Sequence, residues 1–118
     1  MNDDDEGNDW PGRPPLMDFG SGVTGRFSGW HPDRGLNPQY AHLADVERAG
    51  MSFSHPRPDD LSRCGGFVTF DLPGTREVFA GGAFWRVESW EPLTLSPSLL
   101  CRACGRHGFI RGGLWAEA

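Results

Sequence analysis

The chain has 118 residues, room for one ordinary domain, and it is thin in large aliphatic and phenyl side chains while carrying 17 Gly and 10 Pro. That composition excludes a long-helix bundle, because Gly and Pro interrupt every stretch long enough to form one. The net charge of -5 is concentrated in Asp3, Asp4, Asp5, Glu6 and Asp9, and the rest of the chain balances eleven Arg against eleven acids, so a broad basic surface for nucleic acid is excluded as well.

No apolar run approaches the ~20 residues of a membrane span, and the N-terminus is acidic where a secretory signal would be basic. The expectation is a soluble chain with no membrane partner, located in the cytoplasm. All the basic residues are Arg; a GC-rich genome explains that bias without any functional role.

Residues 1–35 read as an irregular, acidic, Gly/Pro-rich arm. Leu16, Phe19, Val23 and Phe27 are too few for a core of their own, and neither a period of two nor one of 3.6 is sustained. An anionic arm of this kind suits a basic protein partner better than nucleic acid, which would repel it.

Residues 36–60 read as one helix and a connector. Asn37 can cap, Pro38 suits the first helical position and Gly50 can stop the helix, with Tyr40, Leu43 and Val46 giving an apolar stripe. Ser54-His55-Pro56-Arg57-Pro58 then reads as an extended connector. His31 and His55 are taken as exposed loop imidazoles.

Residues 61–118 carry most of the apolar side chains and read as a small antiparallel β domain, so the expected fold class is mainly β with one short helix and an irregular N-terminal arm. Val68, Phe70 and Leu72 alternate with polar residues up to Pro73-Gly74. Residues 76–80 and 83–90 flank Gly81-Gly82 as a hairpin, residues 93–95 and 99–100 flank the Ser96-Pro97-Ser98 turn, and residues 109–111 and 114–115 flank Gly112-Gly113. Strand parity puts Trp85 with Ala83 and Val87 on the buried face and Trp90 on the other.

The three cysteines, at 64, 101 and 104, all fall in this part, with His107 just beyond. Cys101 and Cys104 can converge on one ion when the chain between them turns as a knuckle and Gly105 lets it turn back. With Cys64 and His107 they form a Cys3His set, the shell that one structural Zn2+ prefers. A haem attachment would need His directly after the second Cys, a thioredoxin-like pair would need a βαβ unit, and an odd number of cysteines is a poor disulfide framework. Three inert buried thiols beside a surface imidazole are the plain alternative.

If Cys64 closes the shell, the ion is structural. If Cys64 points away, a position is left for water and zinc-dependent hydrolysis becomes available, though no acid–base partner announces itself, Glu88 and Glu91 being only the carboxylates of the hairpin-to-strand region. Arg102, Arg106 and Arg111 around the knuckle, with Trp115, raise a second alternative, a nucleic-acid-binding zinc knuckle. The Ser96-Pro97-Ser98 turn reads as a hydrogen-bonded corner.

Thr94-Leu95-Ser96-Pro97-Ser98-Leu99, then Cys104-x-x-His107, then Phe109-Ile110-Arg111-x-Gly113-x-Trp115 resemble the C-terminal half of a family of small bacterial and phage Cys/His proteins known only as a domain of unknown function. The resemblance covers about residues 61 to 116. It departs in the first ligand pair, where only Cys64 stands and Cys101 is additional, able to take the vacated corner. It implies metal binding, a compact zinc-ribbon-like β fold and no activity. The function expected is a zinc-stabilised protein-interaction module, a phage-encoded accessory or virion-associated protein of the host cytoplasm or virion.

Overall fold

The computed structural model describes residues 13–33, 35–57, 62–79 and 82–118. It is mainly β, as expected, with nine strands in three antiparallel sheets among the described residues. The first sheet contains β1 (Met17–Asp18), β2 (Thr24–Trp30), β3 (Val46–Pro56) and β4 (Arg63–Thr69) in that spatial order, so β1 and β4 are its edges. A hairpin of β5 (Arg86–Trp90) and β6 (Leu93–Ser96) makes the second, and β7 (Leu99–Leu100), β8 (His107–Arg111) and β9 (Leu114–Glu117) the third.

The helix expected over residues 37–50 is replaced by a single 3-10 turn, Pro38–Tyr40, and by the eleven-residue strand β3. The reason is tertiary. Met51 lies opposite Phe27 on one side and Val68 on the other, so β3 has a ladder on both edges, which outweighs a modest helical pattern. Gly50 is not a helix stop. A Cβ there would stand 2.5 Å from the Phe67 ring and from the Val68 carbonyl, so the missing side chain is what lets β4 lie against β3.

The arm is likewise more ordered than its composition suggests. A Cβ at Gly25 would come within 2.7 Å of the Met51 sulfur and 3.0 Å of the Phe19 ring, so this glycine makes room for two core side chains. Phe19 and Val23 join Met51, Val68, Phe70, Leu93, Leu95, Leu99, Ile110 and Trp115 in one buried cluster. The core and the first sheet therefore run across the boundaries drawn at 35 and 60, and the arm's pairing strand β2 belongs to the folded body. The acidic residues 3–9 lie outside the described residues.

Backbone hydrogen bonds stitch the sheets together. Trp85 donates to the Thr69 carbonyl (2.9 Å) and accepts from Asp71 (2.8 Å), joining the first sheet to the start of β5. Gly113 donates to the Leu93 carbonyl (2.9 Å), and Trp115 to that of Phe19 (2.8 Å), tying the β8–β9 hairpin to both other sheets. That hairpin turns at Gly112-Gly113 as expected, with φ of +57° and +77°.

Residues 75–78 are not a strand but one helical turn, α1 (Thr75–Val78). The buried Thr75 hydroxyl donates to the Phe70 carbonyl (2.7 Å) and accepts from the Leu72 amide (3.0 Å), a local network that competes with strand pairing. Gly81 falls outside the described residues. Trp parity holds: Trp85 is half-buried against the core with its indole N–H on the Ser98 carbonyl (3.2 Å), and Trp90 is exposed.

Gly50→Ala is expected to cost about 1–3 kcal/mol by overpacking, a fall in Tm on the order of 4–15 °C. Gly66→Ala, where the new Cβ meets only the Phe53 ring at 3.3 Å, is the comparison and should cost clearly less. Equal melting of the two variants would contradict the close β3–β4 packing at Gly50.

Candidate metal centre

His55 and Cys64 are direct partners in the β3–β4 ladder. Residues facing each other across an antiparallel pair project to the same side with Cβ atoms about 4.5–5.5 Å apart, so register alone brings imidazole and thiol together. The His55 ring is 1 % exposed and stacks on Phe53, two residues back on the same face, at 5.6 Å between centroids. Its Nδ1 lies 3.0 Å from the Pro56 carbonyl. A carbonyl only accepts, so in the neutral ring the proton sits on Nδ1 and Nε2 presents a bare lone pair. That Nε2 is buried and has no hydrogen-bond partner among the described residues.

The other two groups come from the turn between β7 and β8. The Cys101 amide donates to the Arg106 carbonyl (2.8 Å), continuing the ladder, while the Gly105 amide donates to the Cys101 carbonyl (2.7 Å) and closes the knuckle. Gly105 has φ +81°, a left-handed conformation that only glycine adopts without strain. The turn points the amides of Cys104 and Ala103 at the Cys101 sulfur.

The ligand atoms of His55, Cys64, Cys101 and Cys104 all lie within 4.8 Å of one another. The Cys64 and Cys101 sulfurs are 3.4 Å apart, and all three cysteines are free. Thiolates on a tetrahedral ion at ~2.3 Å stand about 3.8 Å from each other. The cluster is thus close to the size of a four-coordinate shell, and it can hold a metal ion.

Electrostatics prepare the first ligand. Burial works against the Cys101 anion, but chiefly the Cys104 amide, the Cys64 thiol and the Ala103 amide outweigh it and bring its pKa down from 9.0 to about 6. Cys64 moves the other way, raised first by its hydrogen bond to Cys101, then by burial and by Cys104. At neutral pH Cys101 is therefore largely a thiolate, and Cys64 keeps its proton and donates to it.

An outer layer fixes the imidazole. Arg106, whose side chain is only 11 % exposed, donates to the same Pro56 carbonyl (3.2 Å), to the Ser21 carbonyl (3.3 Å) and to Glu117 Oε1 (2.6 Å), and it stacks over Trp115 at 5.4 Å. The Trp115 indole N–H also donates to Glu117 Oε1 (2.8 Å). The β1–β2 turn, the end of β3, the knuckle and β9 meet in this network, and a ligating His braced through its other nitrogen is the usual arrangement of metal sites.

Of the four residues expected from the sequence, the structure brings together Cys64, Cys101 and Cys104; His107 is not among them. It opens β8 opposite Leu100, which is 55 % exposed, so ladder parity turns both outward, and its Nε2 instead bonds the Ser98 hydroxyl at 2.7 Å. His55, expected as an exposed loop residue, takes the fourth place because the stretch around it is a central strand. Its partnering with Cys64 depends on a strand register that no local spacing announces. His31 is exposed and paired with Asp45 (3.4 Å). No carboxylate joins the cluster among the described residues. No helix among them is long and apolar enough to cross a membrane.

Comparison with known proteins returned no matching family model, no matching curated protein and no matching solved structure.

His55→Ala is expected to weaken cobalt(II) binding, followed by the thiolate-to-metal absorption bands, by more than the ~10–100-fold typical of losing an outer-layer partner. His107→Ala should bind within about twofold of the parent, well inside that range. The reverse order would restore His107 as the fourth ligand.

Glu117 gives a pH test. Burial opposes its charge, but the Trp115 N–H and Arg106 hold its carboxyl below the ordinary 4.5. Its contribution to stability is therefore present above that value and lost as pH falls through the lower folded one. The Tm gap between parent and Glu117→Gln should be widest at neutral pH and narrow as pH falls below 4.5; a constant gap would show that the charge contributes nothing.

Proposed function

We propose that this protein is a small binding module whose β fold is stapled by one structural zinc ion. The carrying observation is the convergence of a cross-strand His55–Cys64 pair with the Cys101–Cys104 knuckle, four ligand atoms within 4.8 Å that come from the first sheet and from the turn joining two strands of the third. Three thiolates and an imidazole are the soft-to-borderline tetrahedral set that suits zinc. Four protein ligands leave no open position for water, which supports a structural rather than a hydrolytic ion.

A protein partner is favoured over nucleic acid. Of the three arginines near the knuckle, Arg106 is turned inward onto Glu117, Pro56 and Ser21, and Arg111 lies over the Phe109 ring at 4.0 Å. That leaves little of the shared basic face a phosphate backbone needs. The resemblance of residues 61 to 116 to small bacterial and phage proteins supports an accessory or virion-associated setting, and the acidic segment at residues 3–9 supports a basic partner.

Purified under reducing conditions, the protein should carry one zinc per chain by elemental analysis. Structural zinc is worth ~10–16 kcal/mol in small domains, about as much as a whole domain's stability, so strong chelation should abolish the cooperative melt and re-addition of zinc should restore it. A metal-free protein with an unchanged melting curve would overturn the reading.

A further inference from the structure

A groove of about 790 Å³ opens between the first sheet and the β5–β6 hairpin, lined by none of the four metal-cluster residues. Its size is that of a ligand cleft rather than a packing defect. Phe27 and Trp90 form an apolar wall, edge to face at 5.7 Å, and Trp90 is 36 % exposed.

Three carboxylates, of Asp18, Glu47 and Glu91, one guanidinium, of Arg48, and the His31 imidazole, which is paired with Asp45 at 3.4 Å, also line it. Arg48 lies over the rings of Phe27 (4.9 Å) and Trp90 (5.3 Å), so the wall already accommodates a guanidinium. Glu47 and Glu91 are exposed, and their carboxylates have neither hydrogen bond nor ion pair among the described residues. The groove thus carries an excess of negative charge beside an aromatic wall. A neutral or anionic ligand would leave that excess uncompensated. An arginine side chain satisfies both features, its stem covering apolar surface and its fork meeting carboxylates.

We propose that this groove is the docking site for a basic, arginine-bearing segment of the protein partner, with Glu47 and Glu91 as its charge contacts and Trp90 as its apolar one. The proposal rests on the reading of the chain as a protein-binding module and gives that partner a surface and a chemistry. Arg48 then acts as an internal competitor, because it offsets one of the carboxylates that the incoming cation would pair with.

The probe is an acetylated, amidated five-residue peptide carrying two arginines, titrated into the full-length, zinc-loaded protein at low salt. Glu47→Gln/Glu91→Gln should weaken binding about three- to tenfold, the effect of two partly exposed charge pairs. Glu77→Gln/Glu88→Gln, with the same change in net charge outside the groove, should change it less than twofold. Arg48→Gln should tighten binding, whereas a merely architectural Arg48 would loosen it. Amide shifts in β2, β3 and the β5–β6 turn should move with peptide, while those of the knuckle stay put. Equal weakening by both double variants would reduce the effect to bulk charge and overturn the proposal, as would the absence of saturable binding. Zinc content and melting, measured on the same samples, separate this failure from failure of the metal site.

Discussion

The Pro56 carbonyl is the point on which the site turns. It accepts from His55 Nδ1 and from Arg106, and so fixes which imidazole nitrogen is left bare and where it points. Around that oxygen the end of β3 is joined to the knuckle, and through the other Arg106 bonds to the β1–β2 turn and to β9. A chain this poor in large apolar side chains cannot hold three small sheets together by burial alone. It combines one modest shared core with a polar network and a cluster of ligand atoms that reach across the sheets.

The same arrangement explains how the thiols differ. Three cysteines in one pocket would repel one another as three anions. The knuckle amides favour charge on Cys101, and Cys64 answers by keeping its proton and donating it. The pocket therefore rests as a hydrogen-bonded cluster, and a metal ion would displace the remaining thiol protons rather than force a collapse of separated groups.

Much of this was legible in the sequence where the signal is local. The Cys101-x-x-Cys104-Gly105 turn, the Gly112-Gly113 hairpin, the parity of Trp85 against Trp90 and the recruitment of Cys64 all follow from residues a few positions apart or from ligand arithmetic. What was not legible is long-range. Residues 37–50 carry helical signals at both ends, yet strands on either side claim them, and a glycine read as a stop is a close-packing site. His55 reads as a connector residue between prolines until the β3–β4 register sets it opposite Cys64. His107 has the right spacing and the wrong side of the strand, since parity with exposed Leu100 turns it outward. Arg106 gave no sequence signal beyond its position in the knuckle, and only the buried geometry shows it holding four parts of the chain.

Cys64 sits on β4, an edge strand of the first sheet. Thr69 and Asp71 use their outward backbone groups on Trp85, whereas the Phe70 amide faces β3. By the same alternation Gly65 and Phe67 turn their amides and carbonyls away from the sheet, beside a half-exposed phenyl ring. Such an edge is a template for pairing with another copy. A metal bound in this cluster would tie Cys64 to the knuckle and hold this edge against the β7–β8 turn.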